Sequence, residues 1–388
     1  MAAPILIDLS HTSHTLARTG VQKVCRSLLG ELGGNAAPVC YDPYESAWRP
    51  LDPWEKDNLK SWATSKGRGA RWPLGARIRG HLRKLSGREN SLTPGRSLIV
   101  PEIFSPGVGS ALPKLFAATT GPRVALFHDA IALQYPEYAP RSTVARFPGY
   151  LQELLQFDAV AAVSEASRRS LLDYWKWLGV SKFPEVAAIT LGISPPSWAA
   201  SAAVPAVPTV LCVSSIEGRK NHLSLLQACE SLWSAGVSFQ LRLVGLANTE
   251  TGSPALNRIE KLRAAGRNIR YDGALSDEVL ESAYAECLFT VYPSFAEGFG
   301  LPVAESLLRG KPCACRMEGA LGEIAAQGGC RDIGAASPAE ISAAIGALLG
   351  SPSELADLKA ASSGRRFKTW AQYASELQGW MATVKIIS

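Results

Sequence analysis

Pro293-Ser-Phe-Ala-Glu297-Gly-Phe-Gly-Leu-Pro-Val-Ala-Glu305 follows an apolar run at 288–292 and leads into a helical pattern at 302–309. A strand, a glycine-bearing loop and a helix thus stand in immediate succession. Gly298 and Gly300 let the backbone approach a ligand closely. Pro302 suits the first helical turn, whose unpaired N–H groups attract anions. Glu297 lies in the loop and Glu305 about a turn into the helix, so two carboxylates can bracket one ligand. The same spacing also fits a plain glycine turn followed by a solvated helix glutamate, and spacing alone does not choose.

Working outward, the same alternation repeats. Strands are expected at 209–213, 240–244, 269–271 and 312–315, with helices at 221–234, 254–264, 277–285, 338–349 and 352–361. Towards the start, strands are expected at 5–9, 97–100, 124–127 and 159–163, and a helix at 20–32 with Val21, Val24, Leu28 and Leu32 on one face. Strand–loop–helix alternation predicts parallel α/β sheets. The stretch 197–208 is small, uncharged and carries two prolines, which predicts a linker. A length of 388 residues also predicts two domains. The expected division is 1–197, 209–364 and a last helical stretch, 365–388. Open parallel sheets bind ligands at the carboxyl ends of their strands, so two facing halves predict an interdomain cleft.

Composition narrows the class further. Hydrophobic residues at 47% and charged residues at 19% exclude long-range disorder. No run of eighteen apolar residues occurs, so no transmembrane helix is expected, and MAAPILIDLS lacks the basic start of a secretory signal. Eight cysteines without a C-x-x-C pair read as buried free thiols, which predicts a reducing, cytoplasmic compartment.

The net charge of +6 is unevenly placed. Between Lys56 and Arg96 eleven basic residues face two acidic ones, a balance of +9, which leaves 6 − 9 = −3 elsewhere. Ile78, Leu82 and Leu85 recur at helical spacing among these cations, and Trp54, Trp62 and Trp72 are interleaved with them. That pattern predicts docking of 56–96 on an anionic membrane face; a solvated segment and an acidic soluble glycan are the alternatives. Nucleic acid is not expected as a partner.

The segment EGFGLPVAE resembles the E-x7-E motif of retaining family 4 glycosyltransferases, which have the GT-B fold. Other stretches resemble the same family in the same order. They are Arg18-Thr-Gly20-Val-Gln-Lys-Val24, Phe127-His128-Asp129 with Tyr135-Pro136-Glu137, Val163-Ser164-Glu165, Ser214-Ser-Ile-Glu-Gly-Arg219-Lys220-Asn221-His222, Tyr271-Asp-Gly273 and Phe367-Lys-Thr-Trp370. The resemblance implies two Rossmann-like domains, the first for an acceptor and the second for a nucleotide-diphosphate sugar.

It also implies roles, residue by residue. Glu305 would hold the ribose hydroxyls, and Glu297 would lie beside the donor sugar with the N–H groups of Phe299, Gly300 and Leu301. Arg219 and Lys220 would neutralise the departing diphosphate, a placement the charge pattern also favours, since cations at a helix start oppose its dipole and call for an anion. His128 would face the sugar, Gly20 would approach the diphosphate from the first domain, Ser215 would offer a hydroxyl to the phosphate, and the main chain near Gly273 would meet the base.

Ser214 and Ser215 stand where the family commonly has glycine and arginine, which throws more charge onto Arg219 and Lys220. No D-x-D occurs, so neither a metal nor a cofactor is expected. The resemblance points to transfer of a hexose, from GDP-mannose first and a UDP-hexose next, to a glycan or lipid-linked sugar of a surface polysaccharide. The chain would then work in the cytoplasm, on the inner face of the membrane if the basic segment docks. A same-fold epimerase or phosphorylase and a non-enzymatic polyanion binder are the rival readings.

Overall fold

A computed structural model describes residues 3–17, 19–60, 69–86, 92–196 and 207–387. Most of the linker expected at 197–208 lies outside them, as do Arg18, Trp62, Lys66, Arg68 and Arg88. The chain divides into two compact units. One comprises 1–130, 145–192 and 370–388, and the other comprises 131–144 and 193–369.

Among the described residues the first unit holds seven strands: β1 Ile5–Asp8, β2 Ala36–Asp42, β3 Ala47–Pro50, β4 Ser97–Val100, β5 Arg123–Phe127, β6 Ala159–Ala162 and β7 Glu185–Ala188. Their order is β3-β2-β1-β4-β5-β6-β7. All neighbours are parallel except β2 and β3, which form an antiparallel hairpin pairing Cys40 with Arg49. β1, β4 and β6 are buried along their whole length, as expected of strands covered on both faces. Helix Gly20–Leu32 buries Val24, Cys25, Leu28 and Leu32. The final helix, Trp370–Met381, buries Tyr373 and Leu377 in the same unit. Beyond it, Asp158 accepts from Ile387 N at 2.7 Å and from Arg123 Nη2 at 2.5 Å, tying the end of the chain to the sheet.

The second unit holds β8 Thr209–Val213, β9 Gln240–Val244, β10 Ile269–Tyr271, β11 Phe289–Tyr292, β12 Cys313–Cys315 and β13 Cys330–Asp332, all parallel, in the order β10-β9-β8-β11-β12-β13. Alternation along the strands sends side chains to opposite faces. Val210, Leu241 and Val291 pack with Leu225 and Leu226 of helix His222–Ser234 and Ile341 and Ile345 of helix Pro338–Gly350. Cys313 and Cys315 pack with Val303 and Leu307 of helix Leu301–Leu308 and with Leu321. Ser337 and Ser351 cap their helices, each with a proline in the first turn, and Ser337 forms a capping box with Glu340. Ser253 does not cap; it is already the first residue of its helix. All eight cysteines are buried and unpaired. Among the described residues no helix is long and apolar enough to cross a membrane.

Candidate functional site

In the second sheet the chain runs outward from β8 through β9 to β10, then returns to lay β11 on β8's other side. The gap between β8 and β11 is a topological switch point, where the following loops part and leave a crevice at the carboxyl ends of the strands. Two loops meet there. The one after β8 carries Ser214 to Lys220, and the one after β11 carries Pro293 to Gly300. They are zipped by Phe295 N donating to Arg219 O at 2.9 Å.

Glu297 is the hub of this crevice. Its Oε1 accepts from Lys220 Nζ at 2.5 Å, Arg219 Nη1 at 3.0 Å, Tyr292 Oη at 3.0 Å and Ser294 Oγ at 2.5 Å. Lys220 Nζ also donates to Tyr292 Oη and lies 4.8 Å from the centre of that ring. Arg219 reaches Glu217 through Nε at 3.1 Å. Burial alone would raise the Glu297 carboxyl, but the Arg219 and Lys220 charges override it and hold it at about 2. Burial and the adjacent Arg219 charge push the Lys220 ammonium below its usual range. Within this knot two cations meet two carboxylates. The anion that the misplaced cations call for is therefore present in the chain itself. Lys220 is buried beneath it, while the Arg219 side chain keeps 25% of its surface open.

Sequence reasoning gave Glu297, Arg219 and Lys220 separate tasks; the fold bonds them together. It did not find Tyr292 and Ser294, because the first reads as the apolar end of a strand and the second as a turn residue. Nor did it find Tyr138, which stacks on Phe295 with ring centres 5.1 Å apart.

The remaining expected residues distribute as follows. Gly300 is left-handed, at φ +104°, and caps helix Leu301–Leu308; Leu301 is the first helical residue and Phe299 packs on the core beside it. Glu305 is buried within that helix, where Arg309 donates to its backbone carbonyl at 2.8 Å. Ser215 lies in the β8 loop, and Gly273, at φ +67°, follows β10, with Gly245 N donating to its carbonyl at 2.7 Å. All of these follow the carboxyl ends of strands of the second sheet. His222, at the start of the helix after Lys220, shares a 3.2 Å contact with Ser214 Oγ, and burial pulls its imidazole down to about 4.

His128 and Gly20 belong to the first unit. His128 follows β5, and its Nε2 donates to Pro101 O at 2.7 Å, which leaves Nδ1 as the acceptor nitrogen. Burial pulls its pKa below the usual histidine value. Gly20 is exposed and opens helix Gly20–Leu32. The first sheet has its own switch point, between β1 and β4. There Glu102 accepts from the backbone of His11 at 2.7 Å and Thr12 at 2.6 Å, while burial and Glu102 raise Asp8 to about 7.

His14, Cys40 and Glu55 gather donor atoms within 4.8 Å of one another. Both Glu55 oxygens are taken by Arg49, at 2.8 Å each, and His14 uses Nε2 for Glu55 and Nδ1 for Ser10 O, at 2.7 Å each. Arg49 thus already supplies a cation to the carboxylate of this cluster.

Residues 199–365 match the family model described as "Glycosyl transferases group 1". The serotype-specific mannosyltransferase WbdA of Escherichia coli is 26% identical over 334 residues, covering 80% of this chain and 38% of its own length. The O-antigen chain mannosyltransferase B of the same organism is 28% identical over 224 residues, covering 53% of this chain and 56% of its own. The chain therefore spans about two fifths of the WbdA relatives it matches. Among solved structures, Anabaena HepE in complex with UDP and glucose aligns with a TM-score of 0.71 at 14% identity, covering 98% of this chain and 100% of that one. Two parallel-sheet units and a likeness along the whole chain give it the GT-B fold, with a distant relationship to the glycosyl transferases of group 1.

Proposed function

We propose that the chain is a retaining, family 4-like hexosyltransferase. It moves a sugar from a nucleotide-diphosphate donor, GDP-mannose before a UDP-hexose, to a glycan or lipid-linked sugar acceptor in surface-polysaccharide synthesis. The observation that carries this reading is the knot of Glu297, Arg219 and Lys220 at the β8–β11 switch point, inside the stretch that matches the transferase family model. The E. coli relatives named as mannosyltransferases support mannose as the sugar.

In this reading the donor's diphosphate takes over Arg219, the cation that already faces outward. Glu297, relieved of one partner, accepts from the sugar hydroxyls. Lys220 stays beneath and keeps Glu297 ionised. Glu305 holds the ribose, and the N–H groups of Phe299, Gly300 and Leu301 reach the sugar. Ser215 and Gly273 border the nucleotide.

The bond from the anomeric carbon to the phosphate oxygen breaks with its electron pair going to the diphosphate. The acceptor oxygen bonds the same face of that carbon, and its proton passes to the departing phosphate oxygen. Charge growing on the diphosphate is met by fixed cations, commonly a large part of such catalysis. Gly20 and His128 are assigned to the diphosphate and sugar from the first unit. No metal or cofactor enters the scheme.

Incubating the protein with GDP-mannose and UDP-hexoses and measuring released nucleotide tests the reading. Turnover of one donor, lost in Arg219→Ala, is expected. Absence of both binding and turnover with every sugar nucleotide would refute it.

A further inference from the structure

Helix Leu74–Ser86 lies on the first unit with its large side chains pointing the wrong way for a globular protein. Leu74, Ile78, Leu82 and Leu85 are 72%, 51%, 59% and 84% exposed. Its buried residues are Ala76 and Gly80. Gly80 sits so close to the body that a Cβ there would stand 2.7 Å from Tyr44 Cβ. At 100° per residue the four apolar positions fall within one narrow sector, and Ala76 and Gly80 fall opposite it. Small residues thus hold the helix down, and the apolar stripe faces water.

Cations border that stripe on both sides. Arg79 stands on one flank, Arg77 and Lys84 on the other. Arg77 donates to Trp72 O at 3.0 Å, Lys84 reaches Ser46 Oγ at 3.1 Å, and both remain exposed. Arg83 turns back to Asp52 at 3.0 Å and acts as a tether. We infer that this helix docks the first unit onto an anionic lipid surface, lying in the plane of the interface with its stripe among the acyl chains.

Length, charge and shape favour this occupant over others. Thirteen residues make about 20 Å of helix, too short to span a bilayer and suited to lying flat. A second copy of the chain would bring like charges against both flanks, whereas acidic headgroups complement them. Single-stranded nucleic acid would require exposed aromatic faces, and Trp54 and Trp72, the described tryptophans of this segment, do not offer them. Trp72 stacks on His14 with ring centres 3.9 Å apart, and Trp54 meets His14 edge-on at 5.3 Å. These tryptophans serve the body of the protein, so the interleaving of aromatics with cations seen in the sequence does not place them at a membrane.

The inference does not depend on the transferase reading, because every residue it uses lies in the first unit. The full chain is sedimented with vesicles of phosphatidylcholine alone or mixed with phosphatidylglycerol. Binding is expected only with the acidic lipid, and it weakens as salt is added. Arg77→Gln/Arg79→Gln should lower it about thirtyfold. Ile78→Ser/Leu82→Ser/Leu85→Ser should lower it at least about tenfold without changing the melting temperature or the oligomeric state. Equal recovery with neutral and acidic vesicles overturns the inference, as does undiminished binding of the triple variant. Conversion of a dimer to a monomer by that variant, without vesicle binding in the parent, assigns the stripe to a second copy and overturns it too.

Discussion

Lys220 Nζ stands 2.5 Å from Glu297 Oε1, and Tyr292 Oη donates to the same oxygen at 3.0 Å. A buried ammonium and a buried carboxylate neutralise each other at the floor of the β8–β11 crevice, with Arg219 as a third, more open partner. Removing one member of such a pair leaves an uncompensated buried charge, which is strongly destabilising.

Acid should therefore expose the pair. The Glu297 carboxyl sits at about 2 in the fold against an ordinary 4.5, so the unfolded chain takes up the proton first. The stabilisation is complete above pH 4.5 and is lost as pH falls towards 2, and it amounts to about 3 kcal/mol. Urea unfolding of the wild type should weaken steeply across that window, and Glu297→Gln should unfold with a shallower pH slope. Parallel slopes would show that this carboxylate carries no such shift.

Turnover should need the cations and not a divalent ion. Arg219→Ala/Lys220→Ala is expected to abolish transfer, and the wild type is expected to keep its rate after treatment with EDTA. A rate that returns only on adding Mg²⁺ or Mn²⁺ contradicts the proposed scheme.

The two glutamates should separate kinetically. Glu305→Ala is expected to weaken binding of GDP by about ten- to a hundredfold, the loss of a charged hydrogen bond. Glu297→Ala is expected to act mainly on kcat, because the proposed scheme sets its carboxylate against the sugar and not the nucleotide. Calorimetric titration with GDP and steady-state rates distinguish them; unchanged GDP affinity in Glu305→Ala removes that residue from the nucleotide site.

Gly300→Ala should be costly for local reasons. Its φ of +104° is strained for any residue with a Cβ, and that atom would lie 2.6 Å from Leu321 Cδ2. The side chain of Leu321 can give way, but the backbone strain stays, so a loss of about 1–3 kcal/mol is expected by urea denaturation of the variant. A stability equal to wild type would mean that the loop adopts another conformation.

Periodicity made most of the fold legible. The helix expected at 20–32 is observed as Gly20–Leu32, and that expected at 338–349 as Pro338–Gly350. The hairpin of β2 and β3 was not read. Pro38 lies inside β2, where proline argues against a strand, and β3 is a short edge strand ending at Pro50. An antiparallel pair at a sheet edge does not follow the strand–loop–helix rhythm. β7, four residues beside β6, was also missed, since so short a strand carries little pattern. In the site, Gly300 and Pro302 were legible because backbone conformation selects those residue types. The bonds from Glu297 to Lys220 and Arg219 were not legible. They join residues 77 and 78 positions apart and depend on β8 lying beside β11, which no local spacing encodes.

The first unit is assembled from three separate stretches of chain, the last of them 370–388. Its final helix buries Tyr373 and Leu377, and Asp158 holds both Arg123 and Ile387. During synthesis, then, the amino-terminal unit is the one that finishes last. The second unit has all its segments once residue 369 emerges, while the first still exposes the apolar surface that its last helix will cover. Fragments cut between residues 197 and 208 inherit the same asymmetry. A piece ending near residue 197 lacks part of its own core, and this predicts that it aggregates where the intact chain does not.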